Sequence, residues 1–345
     1  MTIVLGLETS CDDACAALVA DGHHLLAEER ASQEDDLATW GGVVPEIVAR
    51  GHIAALPELA IRALTHAGLK LEDVDAVAVA AWPGLAGSLL AGVTAAKAIA
   101  ARRDIPLIAV DHIAAHLAAV HIGRAVVPYP FAGLVASGGH SHLYLARGPG
   151  ELELLGGTID DAAGEAFDKA AQILGLPYPG GPQIDRLAAT GDPRAVPLPR
   201  SFFGDGTMRL SFAGLKTALL RHVRGPLGRD PLRLDASGVA DACAGFQAAV
   251  VEALSDKLIL AATQTAVKTI ALGGGVACNR ALRAHLHSVA VQRGWTLLIP
   301  EPVHCADNAA MIAALGYFRW RSGDVAGLDL VPRPTGVAGP RQASR

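Results

Sequence analysis

Residues 3–20 read IVLGLETSCDDACAALVA, which is two apolar stretches on either side of a short polar turn. Residues 3–7 and 14–20 have the composition of buried strands, and residues 8–13 connect them. The layout occurs again in residues 131–147, where the turn at residues 137–141 reads SGGHS. Each half of the chain is therefore predicted to open with two antiparallel strands joined by a polar turn.

The remaining pattern predicts an α/β fold. A third strand follows each pair, at residues 24–29 and 152–156. Helices and strands then alternate, at residues 46–67, 76–81, 85–101 and 107–110 in the first half and at residues 163–174, 236–265, 269–272, 279–292 and 296–300 in the second. Such a succession is typical of a mixed sheet with helices on its faces.

We predict two subdomains with a cleft between them. The first spans residues 1–122 and the second residues 123–330, with a helical and basic insertion at about residues 160–235. Residues 331–345 are rich in Pro, Gly and Arg and are expected to form a flexible tail. The 345 residues, 51% of them hydrophobic, suffice for two large cores.

The composition points to the cytoplasm. The five cysteines form no CxxC pair, which favours a reducing compartment. Residues 76–96 carry no charge, but a Trp-Pro-Gly turn at Trp82 interrupts them, so a strand, a turn and a buried helix are expected rather than a membrane span. The first residues show no signal-peptide pattern. We therefore predict a cytoplasmic protein without membrane association.

Two imidazoles four positions apart suggest a metal site. His112 and His116 follow the predicted strand at residues 107–110, and side chains at this spacing share one helical face. A third ligand must come from elsewhere, and Asp307 is the natural candidate because it also follows a predicted strand. Taken alone, the histidine pair is equally compatible with ordinary surface or core residues.

Two glycine-rich turns suggest a nucleotide. The turns at Ser137–His140 and Gly273–Gly275 each follow a predicted strand and would expose backbone N–H groups to a phosphate. Neither completes a P-loop or a GxGxxG motif, so neither type of site is expected. Asp161, Glu165 and Asp168 share one predicted helical face, where Asp168 could bind ribose hydroxyls. The alternative is a solvated face with an ion pair between Glu165 and Lys169.

Taken together, the motifs resemble one family. They occur in the order LETSCDD (7–13), GGVVPE (41–46), DHIAAH (111–116), VASGGH (135–140), DDAAGEAFDK (160–169), YPGGP (178–182), SFAGLKT (211–217), GGGVACNR (273–280) and CADNAAMI (305–312). This set resembles the tRNA N6-adenosine threonylcarbamoyltransferases, the TsaD family, over roughly residues 3–321. The family has the actin/hexokinase/Hsp70-like ATPase fold, which is ribonuclease H-like.

The resemblance implies a reaction and a set of ligands. The enzyme would move the threonylcarbamoyl group from threonylcarbamoyl-AMP to N6 of the adenosine 3′ of the anticodon, in tRNAs reading A-starting codons, and release AMP. One divalent metal ion, described as Fe²⁺ with Zn²⁺ or Mg²⁺ as alternatives, would be held by His112, His116 and Asp307. The adenylate would be bound by Val135, Ala136, Ser137, Gly138, Gly139, Asp168, Gly181, Asp185 and Asn279.

The resemblance also implies catalytic residues and partners. Asp12 and Asp13 are expected nearest the reacting carbonyl, where one of them accepts a proton from the adenine amine or positions it. Besides tRNA, the family works with a dimerising paralogue and a small ATPase (TsaB- and TsaE-like proteins). Trp40 and Trp82 depart from the family pattern, at positions that commonly hold Tyr and Gly, which leaves the geometry of their loops open.

Other functions remain to be weighed. A metalloprotease of the HExxH type has Glu after the first histidine, whereas Ile113 stands there in this chain. A small-molecule kinase of the same fold would use the two glycine turns but needs no histidine ligands, since Mg²⁺ prefers oxygen. A non-enzymatic ATP-dependent scaffold is the third alternative.

A tRNA substrate calls for positive charge, whereas the net charge of the chain is −5. Residues 194–233 carry eight basic residues against two acidic ones, so this segment could contact phosphates. The alternative is a solvated insertion whose composition arose by chance. We predict that charge reversal at Arg221 and Arg224 weakens tRNA binding and leaves adenylate binding unchanged.

Overall fold

The computed structural model describes residues 1–33, 44–231 and 234–335. The chain forms two compact units. Unit 1 comprises Met1–Pro128, Arg147–Glu153 and Val303–Arg345, and unit 2 comprises Tyr129–Ala146 and Leu154–Pro302. The chain therefore returns to unit 1 after Pro302, whereas the sequence pattern suggested one continuous second subdomain.

The strands and helices largely follow the predicted periodicities. The strands are β1 (Ile3–Glu8), β2 (Ala14–Ala20), β3 (His24–Ala31), β4 (Ala76–Trp82), β5 (Leu107–Asp111), β6 (Phe131–Ala136), β7 (Ser141–Gly148), β8 (Glu151–Thr158), β9 (Arg209–Leu210), β10 (Thr269–Gly273) and β11 (Thr296–Leu298). The α-helices of the described ranges are α1 (Pro45–Ala67), α2 (Ala86–Arg103), α3 (His112–Ala118), α4 (Ala163–Leu174), α5 (Gly180–Ala188), α6 (Ala213–Arg224), α7 (Ala236–Gln264), α8 (Arg280–Arg293) and α9 (Ala309–Arg321).

Unit 1 contains a five-stranded mixed sheet of order β3-β2-β1-β4-β5. β2 runs antiparallel to β1 and β3, whereas β4 is parallel to β1 and β5. The apolar side chains of β1 alternate between two cores, since Leu5 packs with α1 and α2 and Val4 packs with α3 and α9. The sheet is thus covered by helices on both faces, which explains why its strands read as continuous apolar runs.

The close packing of α9 on β1 depends on Gly6. A Cβ atom at Gly6 would lie 2.3 Å from the carbonyl oxygen of Ala309 and 2.7 Å from the nitrogen of Ala313. No side chain fits at such distances, so the glycine lets helix backbone and strand backbone approach directly. This contact explains why α9 belongs to unit 1 although it lies far away in the sequence.

Unit 2 contains a six-stranded sheet of order β11-β10-β6-β7-β8-β9. β6 and β7 form the predicted antiparallel pair, and β10 lies between β6 and β11 and is parallel to both. The long helix α7 contributes the fully buried side chains Phe246, Leu254 and Leu258. The predicted α/β class with two mixed sheets is confirmed.

Several details differ from the sequence pattern. Helix α4 begins at Ala163, so Asp161 precedes it and does not share a helical face with Glu165 and Asp168. Helices α5 and α6 lie in the insertion that was predicted to be helical, although the sequence pattern did not give their bounds. In the predicted tail, Arg333 donates a backbone hydrogen bond to Ala81, and residues 336–345 lie outside the described residues.

None of the helices in the described ranges is both long enough and apolar enough to cross a membrane.

Candidate functional site

The two histidines lie in the first turn and a half of a helix that Asp111 starts. The Asp111 carboxylate accepts hydrogen bonds from the backbone nitrogens of Ile113 and Ala114, at 2.8 and 3.1 Å, and thereby caps α3. The indole of Trp82 donates to the second oxygen of Asp111 at 3.1 Å. Helix α3 thus begins at His112, and both imidazoles are buried.

The third predicted ligand lies beside them. Asp307 precedes α9, which Asn308 caps by accepting a hydrogen bond from the backbone of Met311. The Oδ1 atom of Asp307 lies 3.6 Å from Nε2 of His112 and 3.4 Å from Nε2 of His116. All three side chains offer donor atoms within 4.8 Å of one another. The packing of α3 and α9 on one sheet face brings these side chains together.

The cluster fits a divalent metal ion. A tetrahedral metal with ligand distances of about 2.1 Å separates neighbouring ligand atoms by roughly 3.4 Å, close to the observed separations. Both ring nitrogens of His116 are buried, and neither makes a well-aligned hydrogen bond among the described residues; Nε2 has only its 3.4 Å contact with Asp307. A buried imidazole without a partner is costly unless something else uses its lone pair. A metal ion would do so.

Glu8 orients His112 from the opposite side. Its Oε2 lies 2.8 Å from Nδ1 of His112, and Ser10 Oγ lies 3.1 Å from the same nitrogen. Glu8 is fully buried at the end of β1. A carboxylate on the distal nitrogen of a ligating histidine fixes the ring tautomer and leaves Nε2 for the metal. Glu8 was not among the predicted site residues, although it lies in the LETSCDD motif.

The charges in this cluster shift one another's pKa values. Burial would lower the pKa of His112, but the carboxylates of Glu8 and Asp307 raise it to about 9. Burial would likewise raise the pKa of Asp307, yet the two imidazoles hold it well below its usual range. The cluster therefore favours an anionic Asp307, which is the form that binds a cation.

The two candidate catalytic acids differ in environment. Asp12 is partly exposed, whereas Asp13 is buried and pairs with Nη2 of Arg30 on β3. The second oxygen of Asp13, Oδ1, is buried and makes no hydrogen bond within the described part of the chain. Burial raises the pKa of Asp13 to about 6, although Arg30 opposes the shift. A carboxyl group with this pKa can exchange a proton near neutral pH.

In unit 2, the two glycine turns are neighbours. β6 and β10 are adjacent parallel strands, so the turns after them meet at one edge of the sheet. A Cβ atom at Gly274 would lie 2.3 Å from the Ala136 carbonyl oxygen, which shows how closely the turns approach. Added Cβ atoms at Gly138 and Gly139 would meet nothing within 4 Å. The tip of the first turn therefore faces open space, as a phosphate-binding turn requires.

Helix α4 begins against this first turn. The backbone nitrogen of Gly164 donates to the carbonyl of Ser137 at 3.0 Å, and Ala163 donates to Ser141 Oγ at 2.8 Å. Any side chain at position 164 would collide with Ser137. Further along α4, Asp168 accepts a hydrogen bond of 2.8 Å from the backbone of Gly180, which starts α5. Two of the predicted adenylate regions are therefore directly connected.

The other predicted adenylate residues have protein partners. The carboxylate of Asp185, on α5, accepts two hydrogen bonds from Arg280. One comes from its backbone nitrogen at 3.2 Å and the other from its guanidinium Nε at 2.5 Å. Asn279 caps α8 by accepting from Leu282 and donates to Gln247 at 2.7 Å. Gly181 has open space around it. Arg280 ends the GGGVACNR motif, whereas Gln247 lies outside the motifs found in the sequence.

Several basic side chains of the insertion form ion pairs or hydrogen bonds with other residues of the protein. Arg200 pairs with Glu252 at 2.8 Å, Lys216 pairs with Asp161, and Arg209 lies 3.8 Å from Asp205. Arg224 donates to the carbonyl of Ile173 at 3.1 and 3.2 Å. Arg221 is exposed and has no ion pair among the described residues, whereas Arg233 lies outside them. The positive charge available to a tRNA here is smaller than the composition suggested.

Two predicted features lie outside the described residues. These are the GGV part of the GGVVPE motif, at positions 41–43, and the departure at position 40.

The comparison with known proteins decides the family. The family model described as tRNA N6-adenosine threonylcarbamoyltransferase (TsaD) matches residues 24–314. The chain belongs to this family. A member of that name from Geobacter sp. (strain M21) is 49% identical over 332 residues, which cover 96% of this chain and 95% of the relative. Another, from Symbiobacterium thermophilum, is 48% identical over 330 residues, covering 95% and 94% of the two chains.

The similarity to solved structures concerns the fold alone, because the sequence identities are low. Component A of (R)-2-hydroxyglutaryl-CoA dehydratase from Acidaminococcus fermentans has a TM-score of 0.53 at 15% identity, covering 92% of this chain and 99% of that one. HypF from T. kodakarensis has a TM-score of 0.59 at 15% identity, covering 95% and 49%. The predicted family, the two-unit actin/hexokinase-like fold class and the assignment as an acyltransferase that modifies tRNA are confirmed.

Proposed function

We propose that this chain transfers the threonylcarbamoyl group of threonylcarbamoyl-AMP to N6 of the adenosine 3′ of the anticodon and releases AMP. The observation that carries this proposal is the convergence of His112, His116 and Asp307, whose donor atoms lie within 4.8 Å in a member of the threonylcarbamoyltransferase family. Residues from two distant parts of the sequence form this cluster, which fits a divalent ion.

The donor set favours particular metals. Two imidazole nitrogens and one carboxylate oxygen suit Fe²⁺ or Zn²⁺, whereas Mg²⁺ prefers oxygen ligands throughout. We propose Fe²⁺ as the resident ion, with Zn²⁺ as the alternative. When bound, such an ion supplies Lewis-acid stabilisation of negative charge on the donor.

The transfer needs an activated donor because the adenine amine is a weak nucleophile. In the proposed step, the N6 nitrogen forms a bond to the carbamoyl carbon, the bond from that carbon to the phosphate oxygen breaks, and AMP leaves with the electron pair. One N6 proton goes to a carboxylate of the protein. Holding amine and carbonyl in line accounts for a large part of the rate enhancement.

Asp13 is the proposed proton acceptor. Its Oδ1 atom is buried without a hydrogen bond in the described structure, and its pKa of about 6 permits both protonation states near neutral pH. Asp12, which is partly exposed beside it, is the proposed positioning residue for the amine.

Unit 2 supplies the proposed adenylate ligands. The backbone of the turn at Val135–Gly139 would bind the phosphate, and Asp168 and Asp185 would accept hydrogen bonds from ribose hydroxyls. Gly181 would allow the nucleotide to approach the backbone, since an added Cβ there meets no atom within 4 Å. Asn279 would contribute by fixing the start of α8, because its side chain is already bonded to Leu282 and Gln247.

We propose that the protein is cytoplasmic and that its substrate is tRNA. A dimerising paralogue and a small ATPase are its proposed partners. These expectations come from the family resemblance. The metalloprotease alternative has less support, because Ile113 occupies the position of the catalytic glutamate and Glu8 is bonded to His112.

The decisive experiment is a transfer assay. The purified protein is incubated with threonylcarbamoyl-AMP and unmodified tRNA, with and without the two partner proteins, and the nucleosides are analysed by mass spectrometry. We expect threonylcarbamoyladenosine and one AMP per modified nucleoside. Consumption of the donor with no modified nucleoside in any arm would refute the proposed transfer.

Asp12→Asn and Asp13→Asn separate the two roles in single-turnover assays. Loss of a general base slows transfer by about 10²- to 10⁴-fold, so Asp13→Asn should show the larger defect. Normal single-turnover rates in both variants would show that neither carboxylate takes part in the chemical step.

A further inference from the structure

A cavity in unit 1 with both charged and apolar lining residues borders the metal cluster. Its volume is about 410 Å³, at the small end of ligand-binding pockets. Residues of β3 and of the segment before α9 line it, and they include Arg30, His304 and the metal ligand Asp307. A chemical group in this cavity would therefore lie next to the proposed metal ligands.

The carboxylates that line the cavity already have partners. Glu28 accepts hydrogen bonds from the backbone nitrogens of Ala309 and Ala310, at 2.8 and 3.1 Å, at the start of α9. Its other oxygen lies 3.7 Å from Nδ1 of His304. Asp307 faces the two histidines. The charge of Arg30 acts on both carboxylates, but its direct ion pair is with Asp13.

Arg30 retains the capacity to bind a second anion. Its Nη2 pairs with Asp13, but a guanidinium has five N–H donors arranged to fit carboxylates. The Arg30 side chain is 43% exposed, whereas that of Asp13 is 9% exposed. The guanidinium of Arg30 therefore pairs with the buried carboxylate of Asp13 and is also partly accessible to a ligand.

The proposed donor contains a group that needs such a cation. A threonylcarbamoyl group ends in a free carboxylate, with a hydroxyl and a methyl group on the neighbouring carbon. Beside Asp13 and Asp307 this carboxylate would be repelled unless a positive charge offset them. The lining provides a guanidinium for the carboxylate and the apolar side chains of Leu25 and Val303 for the methyl group.

We infer that Arg30 binds the free carboxylate of the threonyl group in this cavity and so makes the enzyme specific for carbamoyl donors derived from amino acids. This inference rests on the proposed function. It assigns Arg30 two partners, since the same guanidinium that pairs with Asp13 also recognises the substrate.

The test compares two donors. One is threonylcarbamoyl-AMP, and the other is the same molecule with the threonyl carboxylate converted to a carboxamide. Because Arg30 also pairs with Asp13, Arg30→Gln should slow transfer from both donors, but it should lower the ratio of kcat/KM for the carboxylate donor to kcat/KM for the carboxamide donor by about 10- to 100-fold, as expected when one charged hydrogen-bonded pair is lost. Arg30→Lys should retain part of the preference.

Arg62→Gln is the matched control. Arg62 is 52% exposed and pairs with Glu29, which is as buried as Asp13, on the other face of β3. This variant should keep the wild-type preference between the two donors. Circular dichroism and thermal unfolding of both variants will show whether they fold alike.

A binding measurement decides the inference independently of transfer. A non-transferable sulfamate analogue of the donor is titrated calorimetrically into the wild type and Arg30→Gln. We expect weaker binding to the variant for the carboxylate analogue and equal binding for its carboxamide. Equal losses for both analogues would show that Arg30 acts only through Asp13, and unchanged binding would exclude contact; either result overturns the inference. Failure of wild-type transfer would refute the proposed function but leave this comparison decisive.

Discussion

Single buried side chains control the metal cluster. Glu8 is fully buried and holds Nδ1 of His112 at 2.8 Å, while Nε2 of the same ring faces Asp307. The position and basicity of one ligand therefore depend on a residue that does not itself face the metal site.

We predict that Glu8→Gln lowers the affinity for Zn²⁺ or Fe²⁺ by about 10- to 100-fold, because the hydrogen bond loses its charge. Competition with a chromogenic chelator measures the affinity. Glu29→Gln is the control, since Glu29 is buried on the other face of β3 and pairs with Arg62 and His66. Equal affinities of wild type and Glu8→Gln would disprove this role.

The buried side chain of His121 should make the free energy of unfolding depend on pH. It is buried against Phe318 with 4.5 Å between ring centroids, and burial, together with His23 and Arg124, lowers its pKa from 6.5 to about 4. Between these two values the unfolded chain binds a proton that the folded protein does not, so stability falls as the pH drops through this range. At pH 5 the loss is about 2 kcal/mol.

Urea unfolding at pH 7.5 and pH 5 measures this effect. His121→Phe should lose about 2 kcal/mol less than the wild type between the two pH values, while His24→Gln, an exposed control, should behave like the wild type. Identical pH dependence in His121→Phe and the wild type would show that His121 is not the responsible group.

At the scale of elements, glycines permit close packing of backbones. The Cβ of an alanine at position 6 would lie 2.3 Å from the carbonyl oxygen of Ala309. Gly6→Ala should therefore reduce the free energy of unfolding by about 2 to 3 kcal/mol, because α9 must move away from β1. Gly214→Ala, whose added Cβ has its nearest neighbour at 3.7 Å, should leave stability unchanged or raise it slightly. Urea unfolding of both variants tests the difference, and equal stabilities would contradict it.

Helix α6 revises the prediction about tRNA. Arg224 supports the fold through Ile173, so its reversal would disturb packing as well as charge. Arg221→Glu alone should weaken tRNA binding about two- to tenfold at low salt and leave AMP binding unchanged, since one phosphate contact is lost. Filter binding at two salt concentrations measures this. A tRNA affinity equal to that of the wild type would exclude α6 from the tRNA-binding surface.

At the scale of the whole molecule, the two kinds of ligand belong to different units. The metal cluster lies in unit 1, and the proposed adenylate residues lie in unit 2. A ligand stabilises the part of the native state that it contacts. The metal ion and the nucleotide should therefore protect different segments of the chain from hydrogen exchange.

Hydrogen exchange with mass spectrometry tests this expectation. Zn²⁺ should slow exchange in α3 and at the start of α9, and AMP should slow exchange in the turn at residues 137–140 and in α4 and α5. His116→Ala should lose the response to Zn²⁺ and keep the response to AMP. Protection of α4 and α5 by Zn²⁺ alone would contradict the assignment of the metal to unit 1.

Local chemistry made much of this protein predictable. Strand and helix periodicity follows from the backbone, so the two strand pairs, the mixed sheets and the order of helices could be read directly. The spacing of His112 and His116 and the glycine turns at the ends of β6 and β10 were visible for the same reason. The position of Asp307 after a predicted strand indicated the third metal ligand, and the family resemblance then indicated Asp12 and Asp13.

Only the tertiary structure determined which distant residues meet. The return of α9 to unit 1, the contact of Glu8 with His112, the pairing of Arg30 with Asp13 and the use of Arg224 within the fold depend on packing between segments far apart in the chain. No local propensity encodes such pairs, because each arises when buried apolar faces come together and fix the polar groups at their edges.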